Sequence, residues 1–107
     1  MNDMREASVS EREFQLARNQ YQLFRFSVAR PATLYIDMIA TDPVNVLLLD
    51  SEDRAEYESG EDLHSYTFSW GRRTSLNEAV KVEPGTWYIA VEGRDRSSKG
   101  RIKVLQQ

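Results

Sequence analysis

Apolar and polar side chains alternate with a period of two through most of this 107-residue chain, the pattern of half-buried strands. It is clearest after Pro84 and Gly85, where Trp87, Ile89 and Val91 share one face and Tyr88, Ala90 and Glu92 the other. Pro fixes φ at the second turn position and Gly accepts positive φ at the third, so the strand starts from a tight turn. Gly93 and the polar residues 94–98 end it. Trp87 is the largest apolar side chain in the neighbourhood, so this strand is expected centrally in a sheet, with Trp87 anchoring the core.

The rest of the chain follows the same period in shorter pieces. Residues 1–12 show no period and are expected as a loose arm before a single domain of residues 13–107. Phe14, Leu16 and Arg18 alternate with Gln15 and Ala17 as a first strand, and Asn19 with Gln20 forms a turn. In residues 21–29, Phe24, Phe26 and Val28 oppose Tyr21, Leu23 and Arg25; Pro31 then breaks the ladder because it has no N–H to donate. Leu34, Ile36, Met38 and Ala40 form one face of the next strand, with Tyr35, Asp37 and Ile39 on the other. Thr41, Asp42 and Pro43 predict a reversal of the chain. Residues 44–49 are the most apolar run and predict a central strand buried on both faces.

Residues 50–62 are polar, and Tyr57 and Gly60 within them predict an ordered loop or short helix. Tyr66, Phe68 and Trp70 alternate with Ser65, Thr67 and Ser69 as a half-buried strand. Gly71, Arg72, Arg73 and Thr74 predict a turn, and Leu76, Val80 and Val82 the strand after it, with Asn77 and Glu78 making its start irregular. Gly100 leads into a last strand through Ile102 and Val104. About eight strands with turn signals every 8–12 residues or so argue an all-β sandwich or barrel. No stretch carries a helical period over a helical length, and no repeat or linker marks a second domain.

Composition narrows the function. A hydrophobic content of 40% with 29% charged residues is that of a globular domain. A net charge of -3 and a pI near 5.2 supply no general attraction to nucleic acid or anionic membrane. The longest apolar run, residues 46–49, is far short of the roughly 20 residues of a membrane span. Cysteine is absent, which excludes disulfides and thiolate metal sites and fits a cytosolic home; the polar residues 1–10 do not form a signal peptide.

The segments YQLFRFSVA (residues 21–29), TLYIDMI (33–39), VNVLLLD (44–50), VEPGTWYIAV (82–91) and GRIKVL (100–105), in that order around an acidic loop, resemble the bacterial pre-peptidase C-terminal domain family. The resemblance spans roughly residues 14–105. It implies a jelly-roll-like sandwich of the kind appended to secreted proteases and similar to collagen-binding modules. The family's N-terminal acidic calcium segment has no match in residues 1–12, so calcium is not carried over. NVLLLD (45–50), YESG (57–60) and PGTW (84–87) are also similar to an uncharacterised bacterial sandwich family whose members can accompany TIR signalling domains. Both resemblances imply a module and not a catalyst.

His64 is the only histidine; beside Glu61 and Asp62 it would make a general base, but without a nucleophile it reads as an ordinary loop residue. No serine sits in a Gly-x-Ser-x-Gly elbow. Asp50, Glu52, Asp53, Glu56, Glu58, Glu61 and Asp62 offer oxygens to a hard cation. They lack the EF-hand spacing, however, and read first as a solvated charged face, with a weak calcium site as the alternative. Arg72 and Arg73, with Arg94, Arg96, Lys99, Arg101 and Lys103, form a basic group suited to phosphate or acidic protein, or to the acidic segment itself. Exposed coplanar rings among Tyr21, Tyr35, Tyr57, Tyr66, Tyr88, Trp70 and Trp87 would stack on sugars, but core or half-buried positions suit most of them better.

The sequence therefore predicts a jelly-roll-like antiparallel β-sandwich of about eight strands that needs no cofactor. The expected role is non-catalytic binding of another protein, through Asp50, Asp53, Glu56, Tyr57 and Glu58 together with Arg72 and Arg73. The alternative is a carbohydrate or extracellular-polymer module appended to a secreted enzyme. The acidic middle and basic C-terminal third also favour weak head-to-tail contacts between copies.

Overall fold

The alternating segments do form strands. In the computed structural model, which describes residues 8–59 and 68–107, they are β1 (Ser8–Leu16), β2 (Tyr21–Val28), β3 (Ala32–Leu49), β4 (Phe68–Val82), β5 (Gly85–Gly93) and β6 (Ser98–Gln106). One helix, α1 (Ser51–Ser59), follows β3. The expectations for residues 1–7, and those for Gly60, Glu61, Asp62, His64, Ser65, Tyr66 and Thr67, lie outside the described residues.

Every pairing is antiparallel, in the order β1-β6-β3-β5-β2, and β4 lies on the other side of β3. The fold class stands as an all-β sandwich, but the described strands number six, because two expected turns do not reverse the chain. β3 continues for 18 residues through Thr41, Asp42 and Pro43. Its first half pairs with β6, from Leu34↔Gln106 to Ala40↔Gly100, and its second half with β5, from Val44↔Gly93 to Leu49↔Tyr88. Between them the chain bends from one layer into the other. Pairing with β4 is interrupted between Ile39 and Val44, so the missing N–H of Pro43 costs no ladder bond. The Asp42 amide donates instead to Ser98 Oγ (3.1 Å), Ser98 Oγ donates to the Asp42 carbonyl (2.7 Å), and the Lys99 amide donates to Thr41 Oγ1 (3.1 Å).

β4 likewise runs 15 residues without reversing. Gly71, at φ 74°, forms a bulge where Asn45↔Arg72 gives way to Leu47↔Ser69, and glycine, having no Cβ, adopts that φ at no steric cost. β1 begins at Ser8, so residues 8–12 belong to a strand and not to a loose arm. Its period was hidden because β1 is a sheet edge: Ser10 and Arg12 share the inward side with Phe14 and Leu16 but stay at the rim, polar and at least partly exposed.

Two layers result. One holds β1, β6, the first half of β3 and the second half of β4; the other holds β2, β5 and the remaining halves. Leu34, Ile36, Met38, Val44, Val46 and Leu48 line one side of β3 throughout and meet Phe14, Leu16, Ile102 and Val104 from one layer, and Trp87, Ile89 and Val91 from the other. Each such side chain contributes about 1.5–3 kcal/mol on leaving water. Trp87 is the anchor expected, buried, with its indole N–H donated to the Glu83 carbonyl at 2.9 Å.

Candidate functional site

The outer face of the β2–β5 layer is covered by α1. Asp50 caps the helix: its Oδ1 accepts the Asp53 amide at 2.8 Å, satisfying one of the donors a helix N-terminus leaves open. Glu52 and Asp53 in the first turn suit the positive end of the helix dipole. Beneath α1, Leu47, Leu49 and Ala90 are buried in a second small core with Leu23, Tyr57 and Tyr88 packed against them. Arg54 lies 5.2 Å over the Tyr88 ring and pairs with Glu58.

Tyr57 joins the helix to a row of polar residues on the sheet. Tyr21, Glu92, Asn45 and Arg72 stand side by side across four strands. The Tyr57 hydroxyl donates to Glu92 Oε2 at 2.5 Å, and its ring meets Tyr21 edge-on at 5.1 Å. Asn45 Nδ2 donates to the other Glu92 oxygen at 3.1 Å, Arg94 lies 4.0 Å from it, and Arg72 pairs with Asp95 at 3.1 Å.

Of the residues singled out from sequence, Asp50, Asp53, Glu56, Tyr57 and Glu58 thus lie on or at the start of one helix, and Arg72 stands at the end of the row that Tyr57 reaches. Arg73 departs from them, its Nε donating to the Trp70 carbonyl at 3.4 Å. Glu92, Asn45 and Arg54 were not singled out, and Tyr21 only as a ring for stacking on sugars. The signal for the first two was there, as polar residues inside otherwise apolar strands. Among the described residues no group of three or more metal-ligating side chains converges.

The outer face of the other layer has no described element over it. Its rows run Glu13, Arg101, Ile39, Ser75; then Glu11, Lys103, Asp37, Asn77; then Leu105, Tyr35, Ala79. Asn77 Nδ2 donates to Asp37 Oδ1 at 2.7 Å. Ile39 is 54% exposed and Tyr35 43%, with Leu105 half-buried beside the tyrosine. A hollow of about 650 Å³ opens at the bend, lined by Glu13, Gln15, Ile39, Thr41, Lys99 and Arg101 among others. The basic group read from sequence is therefore split. Lys99, Arg101 and Lys103 share this face, while Arg94 and Arg96 lie in the β5–β6 connection.

The exposed rings, Tyr21 at 46% and Tyr35 at 43%, stand on opposite outer faces, and Trp70 and Trp87 pack against the core. Among the described residues these rings do not form the coplanar pair that a sugar platform needs.

The fold is that of a known domain. A crystal structure of the pre-peptidase C-terminal domain of collagenase from Bacillus anthracis superposes with a TM-score of 0.63, covering 90% of this chain and 87% of that one, at 16% sequence identity. The expected resemblance to that family holds at the level of the fold. No family model and no curated protein matches the chain. Similarity to the family that accompanies TIR domains remains an expectation from sequence.

Proposed function

We propose that this chain is a non-catalytic module that binds another protein through the outer face of the β1–β6 layer. The observation that carries the proposal is the exposure of Ile39 and Tyr35 on one strand, with Leu105 and Ala79 flanking the tyrosine and in-register charges between the two. Apolar surface rimmed by charge suits a protein partner, whose own side chains supply both kinds of contact. The acidic helix on the opposite face adds a second, differently charged surface. The fold shared with an appended collagenase domain is compatible with a module's role.

Parallel screens on a peptide array and a glycan array test this reading. Peptides should be retained, with retention falling at least about tenfold for Ile39→Asp, while glycans should pass unbound. Capture of a glycan that is lost in Tyr35→Ala would overturn the proposal in favour of a carbohydrate or extracellular-polymer module.

A further inference from the structure

β1 and β2 end the order of pairing, one in each layer, and do not pair with each other, so the sandwich is open along the seam between them. A cleft of about 250 Å³ enters there and reaches the main core. It is lined by Ile89, Ile102 and Val104, all buried, and by the half-buried rings of Phe24 and Phe26. A second hollow of about 370 Å³ continues it along the seam, sharing Ser10, Phe26 and Val104 and extending to Ser27 and Gln106. Arg12 and Arg25 line the cleft, and no carboxylate lines either hollow. Glu11 and Glu13 flank Arg12 in sequence, but they stand on the outer face, in the rows of Lys103 and Arg101. Arg12 Nη1 donates to the Glu11 carbonyl at 3.0 Å, and neither arginine is ion-paired among the described residues. A guanidinium carries five N–H donors in a planar fork that fits a carboxylate, so most of those on Arg12 are open to one. An inward-facing charge on an edge strand also discourages pairing with another chain, but that role asks for no apolar cleft beside it.

We infer that this seam binds a small amphiphile with an apolar tail and a carboxylate head, the tail between the layers against Phe24, Phe26 and Ile89 and the head at Arg12 and Arg25. The ligand class follows from the lining. Buried aliphatic and aromatic side chains hold a tail by taking it out of water. Two cations with no acid beside them select an anionic head over a neutral one. The site is distinct from the outer face that carries Ile39 and Tyr35, and it makes the chain a receptor for a small molecule as well as for a protein.

Calorimetric titration with octanoate, and with octanol as its neutral counterpart, tests this. Octanoate should bind about tenfold or more tighter than octanol, the margin expected of hydrogen bonds to a charged group. Arg12→Gln with Arg25→Gln, both at exposed sites, should remove that margin. Across hexanoate, octanoate and decanoate, affinity should rise about fourfold for each methylene that enters the seam. Ser10→Phe places a ring where the two hollows meet and should abolish binding of acid and alcohol alike. Circular dichroism checks that the variants fold, and the arginine pair carries the test alone if Ser10→Phe does not. In the wild-type protein, octanoate should shift the amide resonances of β1, β2 and β6. Neither heat nor resonance shifts on adding octanoate would overturn the inference. So would equal affinity for octanoate and octanol, an undiminished margin in the arginine variant, or a folded Ser10→Phe that binds as wild type does.

Discussion

Gly100 shows how closely β6 approaches the bend of β3. A Cβ built there would sit 1.9 Å from the Ile39 carbonyl oxygen, 2.9 Å from the Ala40 Cα and 2.8 Å from the Phe14 ring. Two of those neighbours are backbone, held in register by the Ala40↔Gly100 pairing, and they cannot turn aside as the end of a long side chain would. Gly100→Ala should therefore destabilise the domain despite the better intrinsic conformational preference of alanine, by about 1–3 kcal/mol or more, the cost of overpacking. A urea midpoint equal to wild type would show that β6 does not lie this close. The sequence marks Gly100 only as a strand start. By contrast, Trp87 announced its role, because a large apolar side chain in strict alternation after a Pro-Gly turn has few places to go but a core.

At the scale of elements, alternation identified where strands run and which side faces inward, and turn chemistry identified where the chain departs from straightness. It did not say what the departure would be. Thr41, Asp42 and Pro43 have the composition of a reversal, yet the chain only bends, because Ser98 and Thr41 supply the hydrogen bonds the ladder loses there. Those partners are 56 and 58 residues apart in sequence, beyond the reach of any local reading. Gly71 was read as a turn for the same reason and is a bulge. The acidic segment was legible as an ordered loop or short helix and is a helix over Ser51–Ser59, but what fixes it is not acidic. A nine-residue helix is marginal alone, so α1 depends on Tyr57 and Arg54 reaching the sheet. Tyr57→Phe keeps the ring against Tyr21 and removes only the hydroxyl that Glu92 accepts. It should cost about 1–2 kcal/mol, since the carboxylate keeps the Asn45 hydrogen bond and the nearby Arg94. Hydrogen exchange should locate the loss, with α1 amides exchanging faster and those of β5 unchanged. Equal protection of α1 in both proteins would mean the hydroxyl does not hold it.

For the molecule as a whole, the two layers are not two units. β3 and β4 each pass through both, and the order of pairing joins the first described strand to the last, with Ser8 opposite Gln106 and Leu34 beside the same residue. Neither layer can form its inner face without halves of strands whose other halves belong to its neighbour. The main core draws side chains from both layers into one cluster. Unfolding should accordingly be a single cooperative transition. The tryptophans make this measurable, because Trp70 and Trp87 both belong to the helix-covered layer while far-ultraviolet circular dichroism reports on all strands. Urea curves from the two signals should superpose. If the dichroism were biphasic and fluorescence followed only one phase, the layers would be separable and the bend at Thr41, Asp42 and Pro43 would be a hinge between them. Because most of these pairings join distant parts of the chain, folding should also be slow, on the order of milliseconds to seconds, as loop closure precedes the contacts that compensate for it.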